Sequence, residues 1–193
     1  MKLGVIGLGS IGMRHAKNLQ AMGHKVLGYD PVMERRLMLS GVLWEPHEIF
    51  DDNMVDGLVI ASPTEKHLAH LADASGIGVP IFIEKPIAHD LIAPHTEGLE
   101  YVLNATMEQH IPIMVGNNLR FHSCVNKAKE WLAEGKIGKP LWALFIIAQQ
   151  NTKYIDPVIL NWGAHEIDLA LYLLGSATVT AAAGDDRIMD VCL

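Results

Sequence analysis

The sequence predicts an α/β fold: a doubly wound parallel sheet with helices on both faces, followed by an incomplete α+β region built on an open sheet. Three observations carry this. Short β-branched apolar runs alternate with longer amphipathic stretches over the first hundred residues or so, the pattern of βαβ units. Each run ends in turn chemistry, at the strand ends where open α/β sheets bind ligands. After about Asn118 this rhythm changes.

Taken in order, buried strands are expected at residues 3–6, 26–29, 57–60, 81–83 and 113–115, and helices at 11–22, 31–39, 65–74 and 92–109. In parallel strands the turns GLGSIG, YDP, ASPT, EKP and GNN then converge on one crevice. Beyond them the pattern predicts a helix at 126–134, a turn at EGKIGKP, a strand at 141–149, a helix at 163–174 and shorter strands at 178–183 and 187–191. The expected division is one α/β domain over 1–118 and a partial second domain over 119–193.

Composition narrows the function. The 193 residues are 50% hydrophobic and 19% charged with a formal net charge of −7, enough for one well-cored domain and part of another. Disorder, collagen and coiled coil are excluded. No Lys/Arg cluster offers a surface that tracks phosphates, so nucleic acid is not expected as partner. The longest apolar run, residues 141–148, is far short of the roughly 20 residues of a membrane span. The start MKLGVIGLG lacks the basic region and long apolar core of a secretory leader. Cys124 and Cys192 are too few for a disulfide framework, which makes a reducing cytoplasm the expected setting.

Gly7-Leu8-Gly9-Ser10-Ile11-Gly12 lies between a strand pattern and a helix pattern, the context in which G-x-G-x-x-G signals dinucleotide binding. Gly7 permits the turn, Gly9 lets a pyrophosphate approach the backbone, Gly12 permits close helix packing, and the helix N-terminus supplies amides and dipole. Asp30 ends the next strand, 23 positions after Gly7, where a carboxylate accepts the ribose hydroxyls of NAD and repels a 2′-phosphate. Asp30-Pro31 also suits a helix cap. Arg35 and Arg36 keep NADP open as a cofactor, with NAD expected.

Ala61-Ser62-Pro63-Thr64 follows the third strand, and Thr64 is placed to cap the helix carrying His67. Glu84-Lys85-Pro86 sets two ionisable residues at the ligand end of an apolar strand. Asn161, His165 and Asp168 stand at i, i+4 and i+7, one face if helical throughout. Each also has a plain structural reading: a strand-to-helix turn, a surface ion pair, a helix histidine. No histidine or cysteine spacing suggests a metal. His67 and His70 read as helix surface near the site, and Trp131, Trp142, Trp162 and the methionines as core. Arg120 and Lys153 are the basic side chains nearest the expected pocket.

Together GLGSIG, Asp30, ASPTEKH, EKP, the N-x-R-F-H stretch from Asn118 to His122, and GAHEIDLALYLLG resemble the Gfo/Idh/MocA oxidoreductases, from Met1 to about Val191. The resemblance implies a Rossmann-type nucleotide-binding domain over 1–118, part of a C-terminal substrate-binding and oligomerisation domain with a large open sheet over 119–193, bound NAD or NADP, and a sugar, polyol or inositol-like substrate. Lys85 falls on the family's EKP lysine, and His165 and Asp168 fall on its G-x-H-x-x-D helix. Cofactor contacts are expected from Gly7 to Gly12, Asp30, Ala61 to Thr64, His67, Glu84, Lys85 and Asn118. An aspartate common in the family falls on Asn161, which cannot take a proton, so acid–base work shifts to His165. The family's members usually continue through several more strands, so the chain reads as C-terminally truncated. Association into a homo-oligomer through the C-terminal sheet is a further expectation. Three readings stay open: an active dehydrogenase, a nucleotide-binding protein with little or no catalysis, and a truncated subunit with an assembly role.

Overall fold

The computed structural model describes residues 1–39, 49, 54–88, 95–146, 163–176, 178, 181–184 and 189–192. They form two compact units, Met1–Gly116 and Asn117–Leu193.

The first unit runs β1 (Lys2–Ile6), α1 (Ser10–Ala21), β2 (Lys25–Tyr29), α2 (Met33–Arg36), β3 (Gly57–Ile60), α3 (His67–Ser75), β4 (Ile81–Ile83), α4 (His95–Glu108) and β5 (Ile113–Val115). The strands form one sheet in the order β2-β1-β3-β4-β5, every neighbouring pair parallel. The order reverses at β1, so the crevice beyond the carboxyl ends of β1 and β3 is the ligand position of this topology. Alternate residues feed two cores. Ile6, Leu58, Ile60 and Ile83 pack with Leu71, Ala74 and Val102, while Val5, Val26 and Val59 pack with Leu8 and Ala16. Burial on both faces explains why the central strands read as near-continuous apolar runs, while the edge strand β5 leaves Met114 exposed.

Two departures have local causes. The helix expected over 31–39 shrinks to the four residues of α2, none of them buried. With no apolar face to pack, a short helix is not sustained. The helix over His67 has no side-chain cap from Thr64: residues Thr64–Lys66 form a 3-10 turn that leads into α3.

The second unit contains a 3-10 turn at Asn118–Phe121, α5 (Ser123–Ala133), α6 (Ala164–Leu174) and an antiparallel pair, β6 (Ala181–Gly184) with β7 (Met189–Cys192). α5 begins earlier than its apolar pattern because His122 caps it, the imidazole accepting from the Cys124 N–H at 3.3 Å. Of the strand expected over 141–149, residues 141–146 form no ladder, and 147–149 lie outside the described residues. Leu141, Trp142, Leu144 and Ile146 are exposed, as is Trp131 in part. The expected tryptophan core is therefore not present at Trp131 or Trp142, and Trp162 lies outside the described residues. Many methionines, among them Met22, Met38 and Met107, are likewise exposed rather than core. No described helix is long and apolar enough to cross a membrane.

Candidate functional site

At the carboxyl edge of the sheet, the glycine turn links β1 to α1. Gly7 sits at φ +86°, and its N–H donates to the Tyr29 carbonyl at 2.8 Å. A Cβ on Gly7 would meet the Ala61 carbonyl at 2.7 Å, and one on Gly12 would lie 1.8 Å from the Gly7 oxygen. Both positions exclude any side chain. At Gly9 the space is open, with nothing within 4 Å of the same construction. The α1 N-terminus carries no side-chain cap and no acidic residue in its first turn, so its unpaired amides and dipole face an anion without competition. A pyrophosphate fits this cradle. Ser10 and Ile11 form the first turn of the helix and Leu8 is buried beneath it.

Asp30 is buried, and its carboxylate braces the glycine turn: Oδ2 accepts from the Leu8 N–H at 2.8 Å and Oδ1 from the Val32 N–H at 2.8 Å. Arg35 approaches Oδ2 at 3.3 Å. Arg35 also reaches Oδ1 at 3.5 Å, so these contacts meet the roughly four acceptor sites of the carboxylate, and ribose hydroxyls would replace the long Arg35 contacts.

The turn after β3 is held by α3. His67, expected on the helix surface and as a cofactor contact, is instead buried, with Nδ1 2.7 Å from the Pro86 carbonyl and Nε2 2.9 Å from the Ser62 carbonyl. His70 Nδ1 lies 2.9 Å from Ser62 Oγ. Burial pushes the His70 imidazole below its ordinary value, with His67 and Lys66 adding to the fall and Asp73 opposing it. Ala61 and Pro63 flank this serine at the strand end.

After β4, Glu84 and Lys85 project from the same edge. Glu84 Oε1 meets His15 Nε2 of α1 at 2.7 Å, and His15 stacks edge-on against Phe82 at 5.2 Å. Lys85 is half-buried and precedes Pro86 through a cis peptide bond.

The second unit holds the other expected residues. His165 and Asp168 lie on α6, the first half-buried and the second buried. The Asp168 carboxylate, expected to fix the His165 ring, accepts from Arg120 Nε at 2.9 Å and from Asn117 Nδ2 at 2.7 Å. Its hydrogen bond raises the Arg120 guanidinium further above its ordinary value. Arg120 and Lys129 also stand over the Tyr172 ring at 5.1 and 3.4 Å. Asn118 opens the 3-10 turn beside Arg120. Asn161 and Lys153 lie outside the described residues. No group of three metal-ligating side chains occurs among the described residues.

Residues 1–117 match the Gfo/Idh/MocA model, described as an oxidoreductase family with an NAD-binding Rossmann fold. The chain belongs to this family. It is 28% identical to scyllo-inositol 2-dehydrogenase (NAD(+)) of Bacillus subtilis over 98% of this chain and 58% of the relative. It is 30% identical to inositol 2-dehydrogenase 2 of Saccharopolyspora erythraea over 97% of this chain and 58% of that one. The chain thus spans under two thirds of the length of these curated relatives. Among solved structures, a probable dehydrogenase from Thermotoga maritima superimposes with a TM-score of 0.78 at 25% identity, covering 93% of this chain and 56% of the other. The expected parallel Rossmann sheet and its NAD-binding character are therefore established for this chain.

Nothing in the sequence marks His15, Asn117 and His70 as partners. Each contact links residues distant in the chain or in an unremarkable helix position, and no local pattern marks it. Arg120 was legible as a basic residue near the site, but its commitment to Asp168 was not.

Proposed function

We propose that the chain is part of an NAD-dependent oxidoreductase that moves a hydride between the nicotinamide and a CH–OH carbon of a sugar or inositol-like polyol. The observation that carries this reading is the position of Lys85 two residues beyond the end of β4, at the carboxyl edge of the same parallel sheet that carries the glycine cradle. The names of the inositol dehydrogenases it resembles support the polyol class.

When bound, the nicotinamide supplies the hydride acceptor, the chemistry the side chains lack. The α1 amides hold the pyrophosphate, and Asp30 receives the ribose hydroxyls, which favours NAD over NADP. Lys85 donates a hydrogen bond to the reacting oxygen and stabilises negative charge as it develops there. His165 carries the imidazole that takes the hydroxyl proton. Asn161 orients the substrate by hydrogen bonds without exchanging a proton. Asp168, engaged by Arg120 and Asn117, holds α6 in place and so sets the backbone from which His165 projects. Association through the C-terminal sheet belongs to the same reading and is checked by light scattering.

Lys85→Met tests the assignment. Turnover, followed as NADH absorbance with a panel of inositols and sugars, is expected to vanish while NADH still binds with affinity within about threefold of wild type. Full activity in Lys85→Met would refute the role.

A further inference from the structure

We propose that His67 is a positioning residue for Lys85, locking the loops after β3 and β4 in one fixed relation; the proposal rests on the reading of Lys85 given above. The sheet ladder fixes the backbones of these strands up to Ala61, whose N–H donates to the Ile6 carbonyl at 2.8 Å, and Glu84, whose N–H donates to the Ile60 carbonyl at 2.9 Å. Beyond those bonds the two loops leave the sheet. There the His67 ring spans them, with one nitrogen at the Ser62 carbonyl and the other at the Pro86 carbonyl.

The ring is itself held. His67 is 1% exposed and begins α3, whose Leu71 and Ala74 lie in the core. Both neighbours of Lys85 are thereby pinned: Glu84 through its N–H on β3 and its carboxylate on His15, and Pro86 through its carbonyl on His67. Two pinned neighbours fix the direction of the Lys85 Cα–Cβ bond. A four-carbon side chain delivers its ammonium to one place only from a fixed base, and a displacement of about 1 Å in such a group costs on the order of a hundredfold in rate.

Histidine suits the task because its two nitrogens face opposite ways across a rigid ring; both partners are carbonyl acceptors, so the ring donates to both only when both nitrogens carry a proton, and the neutral ring donates to one while packing against the other. An asparagine is shorter and cannot span them, which leaves a carbonyl at one loop without its partner. The Ser62 end of the bridge also steadies the turn expected to meet the cofactor. Effects on cofactor affinity are therefore expected, but smaller than those on the chemical step.

The test compares wild type, His67→Asn and Lys85→Met. Amide hydrogen exchange over residues 62–64 and 85–88 reads the bridge with no substrate present, and NADH fluorescence reads cofactor binding. Turnover with NAD is measured on myo-inositol and scyllo-inositol, each with and without deuterium on the ring carbons. In His67→Asn, exchange at both loops is expected to rise at least about tenfold while β3 and β4 keep their protection. The NADH dissociation constant should rise less than about fivefold, kcat should fall at least about tenfold, and the isotope effect on kcat should grow as hydride transfer becomes limiting. A merely structural residue would lower kcat by reducing the folded fraction and leave the isotope effect unchanged; that result, or wild-type kcat, overturns the proposal. His67→Gln, which carries the same amide donor as asparagine on a longer side chain, is expected to recover part of the loss. Unfolding of both variants would also overturn it, since His67 would then serve the core rather than the loops. Retained turnover in Lys85→Met, or none in wild type, removes instead the reading of Lys85, and the proposal with it.

Discussion

In the first unit Val5, Ile60, Leu71 and Ile83 are wholly buried on two faces of a five-stranded sheet, whereas the buried described residues of the second are Asp168 and Ala170, with Trp142 80% exposed. The first unit is thus held by apolar packing distributed over many residues. In the second, polar contacts tie the candidate histidine helix: the Arg120–Asp168–Asn117 network, and Tyr172, whose hydroxyl donates to Asn126 Oδ1 at 3.4 Å and whose ring lies against Arg120 and Lys129. Distributed packing tolerates the loss of a polar contact, while a network with a buried carboxylate at its centre does not. This difference teaches where each unit is vulnerable: the first through the loops around Lys85, the second through the anchor of the helix that carries His165.

The largest effect that would sharpen the contrast is expected from Leu71→Ala, which empties a fully buried site between α3 and the sheet. A loss of about 2–5 kcal/mol in urea unfolding is predicted. Next comes Asp168→Asn, which removes the charge that Arg120 meets. Because the Arg120 side chain is 40% exposed, the predicted cost is about 1–3 kcal/mol rather than that of a fully buried pair. Hydrogen exchange should show lost protection in α6 with β1 to β4 unchanged, and equal losses in both units would break the comparison. Trp142→Ala, at an exposed site, should stay within about 0.5 kcal/mol of wild type.

The smallest effect concerns pH. Burial lowers the His70 pKa in the folded chain, so below the ordinary histidine value the unfolded chain binds more protons. Its contribution is complete above about pH 6.5 and is lost as pH falls through that value toward the folded one. Thermal melts of wild type against His70→Asn should diverge at neutral pH and converge on acidification; a constant difference from pH 5 to 8 would contradict this.

The legibility of the sequence follows the same division. The central strands of the first unit could be read because burial on both faces leaves continuous apolar runs, and the glycine turn because Gly7 and Gly12 admit no side chain. Contacts made across the fold left no local mark. His67 read as surface because one helix position says nothing of the Pro86 carbonyl 19 residues away, and His15 gave no sign of Glu84. In the second unit Trp142 and Leu144 read as strand core from hydropathy alone, yet hydropathy does not supply a partner strand. The spacing of His165 and Asp168 did place both on one helix, but the bond from Arg120 that commits Asp168 spans 48 positions.

The most direct test of the central claim is absorbance at 340 nm on the 193-residue chain mixed with NAD and a panel of inositols and sugars. The account predicts NADH formation with at least one polyol in wild type and none in Lys85→Met, with NADH binding retained in both. Saturable NADH binding without turnover on any member of the panel would contradict it.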